Sequence, residues 1–195
     1  MTEKGFHSCV DLSIHDAIIF ASRKHDKQYR KSTDIPYISH IMEVMQILIE
    51  NKCEKDVIIA GILHDTLEDT DTTEEEIKQL FGEKIVSIVQ SESEDKSLDW
   101  FARKSITISK LHSASIEEKL VLCADKLSNM RSIYTDLKNV GEKVWERFNA
   151  PKDNIEWYYK SILKELSEIS ESDMYNDLSE LIDGVFGSGI KDNPV

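Results

Sequence analysis

The stretch VIIAGILHDTLED, residues 57–69, joins the most hydrophobic run of this 195-residue chain directly to a cluster of ionisable groups. The apolar run predicts a central, buried helix over residues 55–68. Charged residues are almost never fully buried unless they are paired or bound to a metal. A cluster at the end of such a helix therefore indicates a functional site. Its members are His64, Asp65, Glu68 and Asp69.

The spacing of these four residues suggests how they act together. On a continuous helix, His64 and Glu68 share one face, and Asp65 and Asp69 share the next. The neighbouring His and Asp can then reach one metal ion, and the two carboxylates one turn later can face a water molecule bound to it. The alternative is a solvated helix end. Carboxylates at a helix C-terminus oppose the helix dipole, however, and lower stability unless a nearby cation neutralises them.

Two further polar residues lie inside apolar helical stretches, namely His40 and Asp125. Each alone is more often a satisfied core group than a ligand, and His-Asp pairs also occur at residues 15–16 and 25–26, where we assign no metal. Together they complete a nitrogen and oxygen site suited to Mn²⁺, Fe²⁺ or Zn²⁺, which would polarise a phosphoryl group and activate water. The predicted ligands are His40, His64, Asp65 and Asp125.

The net charge of -13 argues against binding to nucleic acid, which requires a basic footprint. A phosphate site in such a chain must be a local cationic patch or a metal. The loop before His40 contains Arg30 and Lys31. Their alternative is a solvated turn, but an arginine fork and a lysine charge can also grip pyrophosphate.

Helical periodicity dominates the rest of the chain, and no segment shows the alternation of a strand. With only 3 Pro and 7 Gly, the sequence predicts an all-α bundle of roughly eight to ten helices. We expect a catalytic domain over residues 1–170, followed by a C-terminal helix and tail over residues 171–195. The predicted helices span about residues 11–27, 36–51, 55–68, 72–82, 83–90, 98–111, 116–137, 152–168 and 172–186.

The cellular setting follows from what the sequence lacks. Cys9, Cys53 and Cys123 are far apart and form no CxxC pair, so we expect free thiols in a reducing compartment and no cysteine-ligated zinc. The N-terminus has no signal-peptide pattern, and no run approaches 18 apolar residues. We therefore expect a cytoplasmic protein without a membrane partner. The sequence leaves open whether it is a monomer or a homodimer.

Several motifs, taken in order, resemble the hydrolase domain of RelA/SpoT proteins. They resemble still more closely the stand-alone small alarmone hydrolases, including the metazoan type. The resemblance covers about residues 14–168, and linked motifs in one order are far more specific than a His-Asp pair. The main motifs are QYRKS at 28–32, PYISH at 36–40, HDTLEDT at 64–70 and ADKLSNMR at 124–131, with EDKS at 94–97 and ARK at 102–104 similar to two further family elements.

The resemblance implies an HD-domain fold and hydrolysis of the 3′-pyrophosphate of (p)ppGpp to GDP or GTP and pyrophosphate. It implies Mn²⁺ on the four ligands above, with Glu68 and Asp69 as the catalytic pair that orients and activates water. Tyr158 or Tyr159 is expected in the base pocket, although a WYY run on a helix is more often core. The substrate contacts it implies are Arg30, Lys31, Lys96, Arg103, Asn129 near the ribose, Ser132 where the family often has Thr, and Tyr158.

The chain also departs from the long RelA/SpoT pattern. Ser128 replaces a common His or Tyr, which we expect to alter contacts with the base or ribose. About 27 residues follow position 168, too few for a synthetase domain, so we expect a protein that degrades but does not make the alarmone. Two alternatives stay open: hydrolysis of an adenine alarmone or of the 2′-phosphate of NADPH, and a non-catalytic nucleotide-sensing module.

Overall fold

The computed structural model of the chain describes residues 13–187, which form nine helices and one isolated helical turn. Within this range the only extended pairing is an isolated bridge between Tyr29 and Pro36. The all-α prediction is confirmed, while Cys9 and the predicted tail beyond Gly187 lie outside the described residues. The segments are α1 Ser13–Lys24, α2 Ile38–Glu50, α3 Lys55–Leu63, the single turn α4 Thr66–Asp69, α5 Glu74–Phe81, α6 Glu83–Glu92, α7 Trp100–Leu111, α8 Ile116–Val140, α9 Lys152–Glu165 and α10 Asp173–Phe186, with 3₁₀ helices at Gly141–Arg147 and Ser167–Ile169.

Helix α3 lies at the centre of the molecule, in contact with α1, α2, α6 and α8. Every residue from Val57 to Leu63 is buried, which explains why the helix is apolar on all sides. The buried helix ends at Leu63, so the ionisable residues that follow it begin at the edge of the apolar core.

The predicted continuous helix over residues 55–68 is wrong in one respect, because it is interrupted at His64 and Asp65. Side chains take backbone carbonyls at this point: His64 Nδ1 lies 2.8 Å from the Gly61 carbonyl, and the Thr66 hydroxyl donates to the Leu63 carbonyl at 2.7 Å. Such side-chain bonds compete with the helical ladder. His64 and Asp65 therefore lie in a turn between α3 and α4, where the Asp69 N–H still donates to the Asp65 carbonyl at 2.9 Å, as along a helix.

Local sequence fixes several of the remaining helix ends. Thr73 caps α5 in a capping box with Glu76, and Gly82 ends that helix with φ +95°, close to the predicted range of residues 72–82. Helix α8 continues past its predicted end at Leu137 and stops only before Gly141, whose φ of +61° favours glycine.

Helix α10 packs against α8 and α9. Its buried face consists of Met174, Leu178, Ile182 and Val185, all of which belong to the common hydrophobic core. The division of the chain at residue 170 stays a prediction. No helix within residues 13–187 combines the length and the apolar character that crossing a membrane requires.

The close approach of α3 to α2 at Gly61 gives a prediction about stability. A methyl group at Gly61 would run into the Leu48 side chain, whereas one at Gly184 in α10 would meet only Tyr134, at 3.8 Å. Replacing a helical glycine by alanine gains about 1 kcal/mol, and overpacking a core costs about 1–3 kcal/mol. We therefore expect Gly184→Ala to be stabilised, and Gly61→Ala to unfold at lower denaturant concentration than Gly184→Ala. Equal stabilisation of both variants would contradict the packing described here.

Candidate active site

Four side chains from three parts of the chain meet next to the core. His40 lies in the first turn of α2, His64 and Asp65 lie in the turn after α3, and Asp125 lies in the middle of α8. One ligand atom from each of His40, His64 and Asp65 lies within 4.8 Å of the others. Asp125 Oδ1 is 3.1 Å from His40 Nε2 and 3.7 Å from His64 Nε2. The structure thus brings together all four residues that the sequence nominates as ligands.

The hydrogen bonds of His64 prepare its second ring nitrogen for a metal. A carbonyl can only accept, so the bond to Gly61 keeps a proton on Nδ1, and the neutral imidazole that binds a metal has its lone pair on Nε2. Nε2 is buried and, although it lies 2.8 Å from Asp65 Oδ2, it makes no well-formed hydrogen bond. An unsatisfied buried polar atom is costly. A divalent metal ion would give His64 Nε2 the partner that it lacks, so the residues of this cluster fit a metal site.

The electrostatics of the cluster favour a cation. Burial lowers the pKa of His64, but the charges of Asp65 and Asp125 outweigh burial and raise that pKa well above its ordinary value. Burial raises the pKa of Asp65, yet the neighbouring His64 and His40 hold it below the usual range. The two carboxylates therefore attract positive charge to this point, where a proton and a metal ion compete.

A second layer of residues orients the two carboxylates. The Tyr37 hydroxyl donates to Asp65 Oδ2 at 2.5 Å, Asn129 Nδ2 donates to Asp125 Oδ1 at 2.6 Å, and Lys126 Nζ donates to Asp125 Oδ2 at 2.5 Å. Such outer partners fix the direction of metal ligands. Sequence reasoning missed Tyr37 and Lys126 as site residues, although both lie inside the motifs PYISH and ADKLSNMR.

Glu68 and Asp69 lie in the turn α4, next to this cluster. Glu68 is half-buried and accepts the backbone N–H of Glu94 at 3.2 Å, while Asp69 is exposed. Burial raises the pKa of Glu68, which makes it a better proton acceptor near neutral pH. Lys96 Nζ lies 2.7 Å from Asp69 Oδ1 and 2.9 Å from the Glu68 carbonyl.

A cavity of about 550 Å³ opens beside His40. It is lined by five of the seven predicted substrate contacts, whereas Lys96 and Arg103 do not line it. Lys96 pairs with Asp69, and Arg103 Nη1 lies 3.4 Å from Glu94 Oε2, so the predicted phosphate contacts of these two stay a prediction. The five that line the cavity are Arg30, Lys31, Asn129, Ser132 and Tyr158.

The cavity is the local cationic patch that an acidic chain needs for an anionic ligand. Six basic side chains line it, against the two acidic side chains Glu43 and Asp136. Four of the basic groups have carboxylate partners: Lys104 with Glu94, Lys126 with Asp125, Arg131 with Asp177 and Arg147 with Asp136.

The other two basic groups differ in their partners. Arg30 Nη2 donates to the amide oxygen of Asn129 at 3.0 Å, and Lys31 Nζ donates to that of Asn149 at 3.1 Å. An amide is neutral. The positive charges of Arg30 and Lys31 are therefore not balanced by a carboxylate partner in the described part of the chain. Sequence analysis did not nominate Lys104, Lys126, Arg131 or Arg147. Which way a helical lysine or arginine points depends on packing.

Aromatic side chains line the end of the cavity formed by α7 and α9. Tyr158 and Tyr159 are both buried and both line the cavity, and the predicted contact of one of them with the base stays a prediction. The Tyr158 hydroxyl is buried without a hydrogen-bond partner in the described residues, and Lys104 Nζ lies 4.9 Å from the ring centroid. This end offers flat apolar surface and an unused hydroxyl to a ligand.

Ser128 does not lie where the sequence analysis expects it. Its exposed fraction is 0%, it does not line the cavity, and its hydroxyl oxygen is 2.8 Å from His40 Nδ1. Residue 128 follows Asp125 by almost one helical turn and points from α8 towards α2. Its departure from the family pattern therefore concerns the metal site and not base or ribose contacts.

The fold and the site define a class of protein, the metal-dependent hydrolases with an all-helical scaffold and a His/Asp metal centre. The profile of the HD domain family matches residues 17–155, a range that includes the four candidate ligands and both residues of the predicted catalytic pair. The chain belongs to the HD domain family.

Relatives with known names narrow this further. The guanosine-3′,5′-bis(diphosphate) 3′-pyrophosphohydrolase MESH1 of Homo sapiens is 36% identical over 145 residues, 73% of this chain and 78% of that protein. MESH1 of Xenopus tropicalis is 40% identical over 135 residues, 68% and 73% of the two chains. The structure of a metazoan ortholog of SpoT that hydrolyzes ppGpp superposes with a TM-score of 0.73 at 27% identity, covering 88% of this chain and 94% of that one. The prediction of an HD-type small alarmone hydrolase family is confirmed.

The candidate metal site can be tested with two aspartates that both follow a histidine. Asp65 belongs to the cluster, whereas Asp26 follows His25 in an exposed loop position. We expect Asp65→Ala to lose bound divalent metal, measured by elemental analysis after dialysis, because one ligand and one of the two negative charges of the cluster are gone. Asp26→Ala should keep the metal content of the wild type. Equal metal content in both variants would contradict the proposed site.

Proposed function

We propose that the chain hydrolyses guanosine 3′,5′-bis(diphosphate) at its 3′-pyrophosphate, giving GDP and pyrophosphate, and the pentaphosphate in the same way to GTP. The observation that carries the proposal is that His40 belongs both to the metal-binding cluster and to the wall of the basic cavity. A polyphosphate held in that cavity lies beside the hydrolytic centre. The names of the MESH1 relatives support the choice of nucleotide.

The proposed cofactor is Mn²⁺, held by His40, His64, Asp65 and Asp125. Two imidazole nitrogens and two carboxylates form a set that a borderline divalent ion prefers, and the orphaned Nε2 of His64 supports it. When bound, such an ion supplies Lewis acidity, polarising the phosphoryl group and lowering the pKa of coordinated water.

The catalytic pair moves the proton. Glu68 accepts a proton from the attacking water, a task that its raised pKa suits. Asp69 supports it, and Lys96 holds this turn in place by bonding to the Asp69 carboxylate and to the Glu68 backbone carbonyl. The water oxygen forms a bond to phosphorus, the bond from phosphorus to the ribose 3′-oxygen breaks, and that oxygen takes up a proton to become the 3′-hydroxyl of GDP as pyrophosphate leaves.

The remaining residues bind and orient the nucleotide. Arg30 and Lys31 grip the phosphates, since neither charge is offset by a carboxylate partner in residues 13–187. Asn129 accepts from Arg30 and donates to Asp125, so one amide joins the phosphate grip to a metal ligand. Ser132 and Tyr158 line the same cavity, where Tyr158 offers a surface for the base.

A cytoplasmic location is part of the proposal, without nucleic acid or membrane as a partner. It is supported by the net charge of -13 and by free Cys53 and Cys123 in the described residues. The choice between a monomer and a homodimer stays open, since the proposed site draws all its residues from one chain.

The experiment that tests this function is turnover of ppGpp by purified protein with Mn²⁺, read as pyrophosphate release. We expect hydrolysis by the wild type and a loss of about 10²- to 10⁴-fold in Glu68→Ala, because a general base is removed. Glu68→Ala should retain bound metal, since Glu68 is not one of the proposed ligands. The control is Glu75→Ala, an exposed glutamate of α5 that should leave turnover unchanged.

A parallel panel separates the alternatives. Faster release of phosphate from NADPH, or faster hydrolysis of an adenine alarmone, would overturn the substrate assignment and leave the metal-dependent hydrolysis intact. Metal-loaded protein that binds ppGpp without releasing pyrophosphate would indicate a sensing module. Normal turnover by Glu68→Ala would overturn the role given to Glu68.

The phosphate grip gives a separate prediction. Removing the guanidinium in Arg30→Ala, or the ammonium in Lys31→Ala, should raise KM for ppGpp about tenfold or more, because a charge-assisted hydrogen bond of about 1.5–3 kcal/mol is lost. Lys27→Ala in the same loop is the control, since Lys27 is exposed and pairs only loosely with Asp26, at 4.0 Å. An unchanged KM in both cavity variants would show that the phosphates bind elsewhere.

A further inference from the structure

We propose that Glu43, acting through Ser128, is a positioning residue that fixes the orientation and tautomer of His40 for metal binding. The proposal rests on the metal site of the proposed function and adds two residues that the family resemblance does not assign to it. Glu43 lies in α2, one turn after His40, and Ser128 lies in α8. The relay therefore joins the two helices that meet at the site.

The three groups form a chain of short hydrogen bonds. The Ser128 hydroxyl donates to Glu43 Oε2 at 2.8 Å, and Ser128 Oγ also lies 2.8 Å from His40 Nδ1. Ser128 and His40 are buried, with exposed fractions of 0% and 2%. Water therefore does not compete for the bond between Ser128 and His40.

The direction of the bonds follows from the chemistry of the three groups. A carboxylate only accepts, and a serine hydroxyl has a single proton, which is given to Glu43. The Ser128 oxygen must then accept from His40, so the His40 proton resides on Nδ1. The lone pair of His40 Nε2 is left facing Asp125 Oδ1 at 3.1 Å and Asp65 Oδ2 at 3.6 Å, where the metal is proposed to bind.

Glu43 is held in place from its other side. Arg131 Nη1 lies 3.6 Å from Glu43 Oε1, and Arg131 Nη2 lies 3.1 Å from Asp177 Oδ2 in α10. Both Glu43 and Arg131 line the cavity. The carboxylate thus has one oxygen for the relay and one for the arginine, which prevents it from turning away from Ser128.

His40 and His64 both have a hydrogen-bond partner at Nδ1, but the two partners are of different kinds. His64 obtains its Nδ1 partner from the backbone carbonyl of its own helix, which any residue at position 61 would supply. His40 lies in the first turn of α2 and faces α8, so its partner is a side chain of another helix. A single substitution can therefore remove the partner of His40 but not that of His64.

The test compares Ser128→Ala and Glu43→Leu with Ser128→Thr, which keeps the hydroxyl, and with Glu50→Leu, which alters an exposed glutamate of the same helix. Mn²⁺ affinity is measured by competition with a fluorescent chelator. The His40 tautomer is read in metal-free protein at alkaline pH from long-range ¹H–¹⁵N correlations, assigned by their loss in His40→Ala. Neither measurement requires a nucleotide or turnover.

We expect Ser128→Ala and Glu43→Leu to weaken Mn²⁺ binding by about 10- to 100-fold, the usual effect of losing an outer partner of a ligand. The His40 proton should shift from Nδ1 towards Nε2 in both. Ser128→Thr should restore the affinity, and Glu50→Leu should match the wild type. If Ser128→Ala fails to fold, Glu43→Leu at its partly exposed position decides the question.

Wild-type affinity together with an Nδ1 proton in Ser128→Ala or Glu43→Leu would overturn the relay. That result leaves ppGpp hydrolysis by the wild type untouched. Conversely, a wild type that binds Mn²⁺ but does not release pyrophosphate would defeat the proposed function, while the relay would still be judged by its own two measurements.

Discussion

The structure depends on one constraint, which is that two imidazoles and two carboxylates lie together beside an apolar core. Charges in such a place are tolerated only when every group has a partner. The surrounding bonds meet this demand: the Gly61 carbonyl and Ser128 serve the histidines, and Tyr37 and Lys126 serve the carboxylates. The remaining lone pairs face one another, and a divalent cation is the group that satisfies them together.

The helical core makes this arrangement rigid. Helix α3 is buried from Val57 to Leu63 and packs against four other helices, so it cannot rotate without disrupting close-packed side chains. The helix ends at Leu63, which places His64 at a fixed position next to the core. Helices α2 and α8 pack on α3 and on each other, and each brings one further candidate ligand. Helix packing thus fixes the geometry of the site. Reacting groups that are held in a fixed geometry lower the barrier to the chemical step.

The cavity shows how an acidic protein can hold an anion. The chain carries a net charge of -13, yet six basic side chains gather around one cavity beside the metal centre. Four of them are balanced by carboxylates, which hold them in position, and Arg30 and Lys31 are paired with neutral amides. An overall acidic charge therefore leaves room for a small polyphosphate at one focused basic site.

The sequence by itself determined the helical class, the segment that becomes the core, and the four residues able to ligate a metal. Hydrophobic periodicity and the rarity of buried charge are local properties, so HDTLED, His40 and Asp125 could be recognised without a structure. Tertiary packing alone decided which basic residues reach the cavity and which, like Lys96 and Arg103, turn to carboxylates instead. It also decided the helix break at His64 and Asp65 and the meeting of Glu43, Ser128 and His40. These outcomes depend on the rotation and distance of packed helices, which set side-chain directions and cannot be read from spacing along one chain.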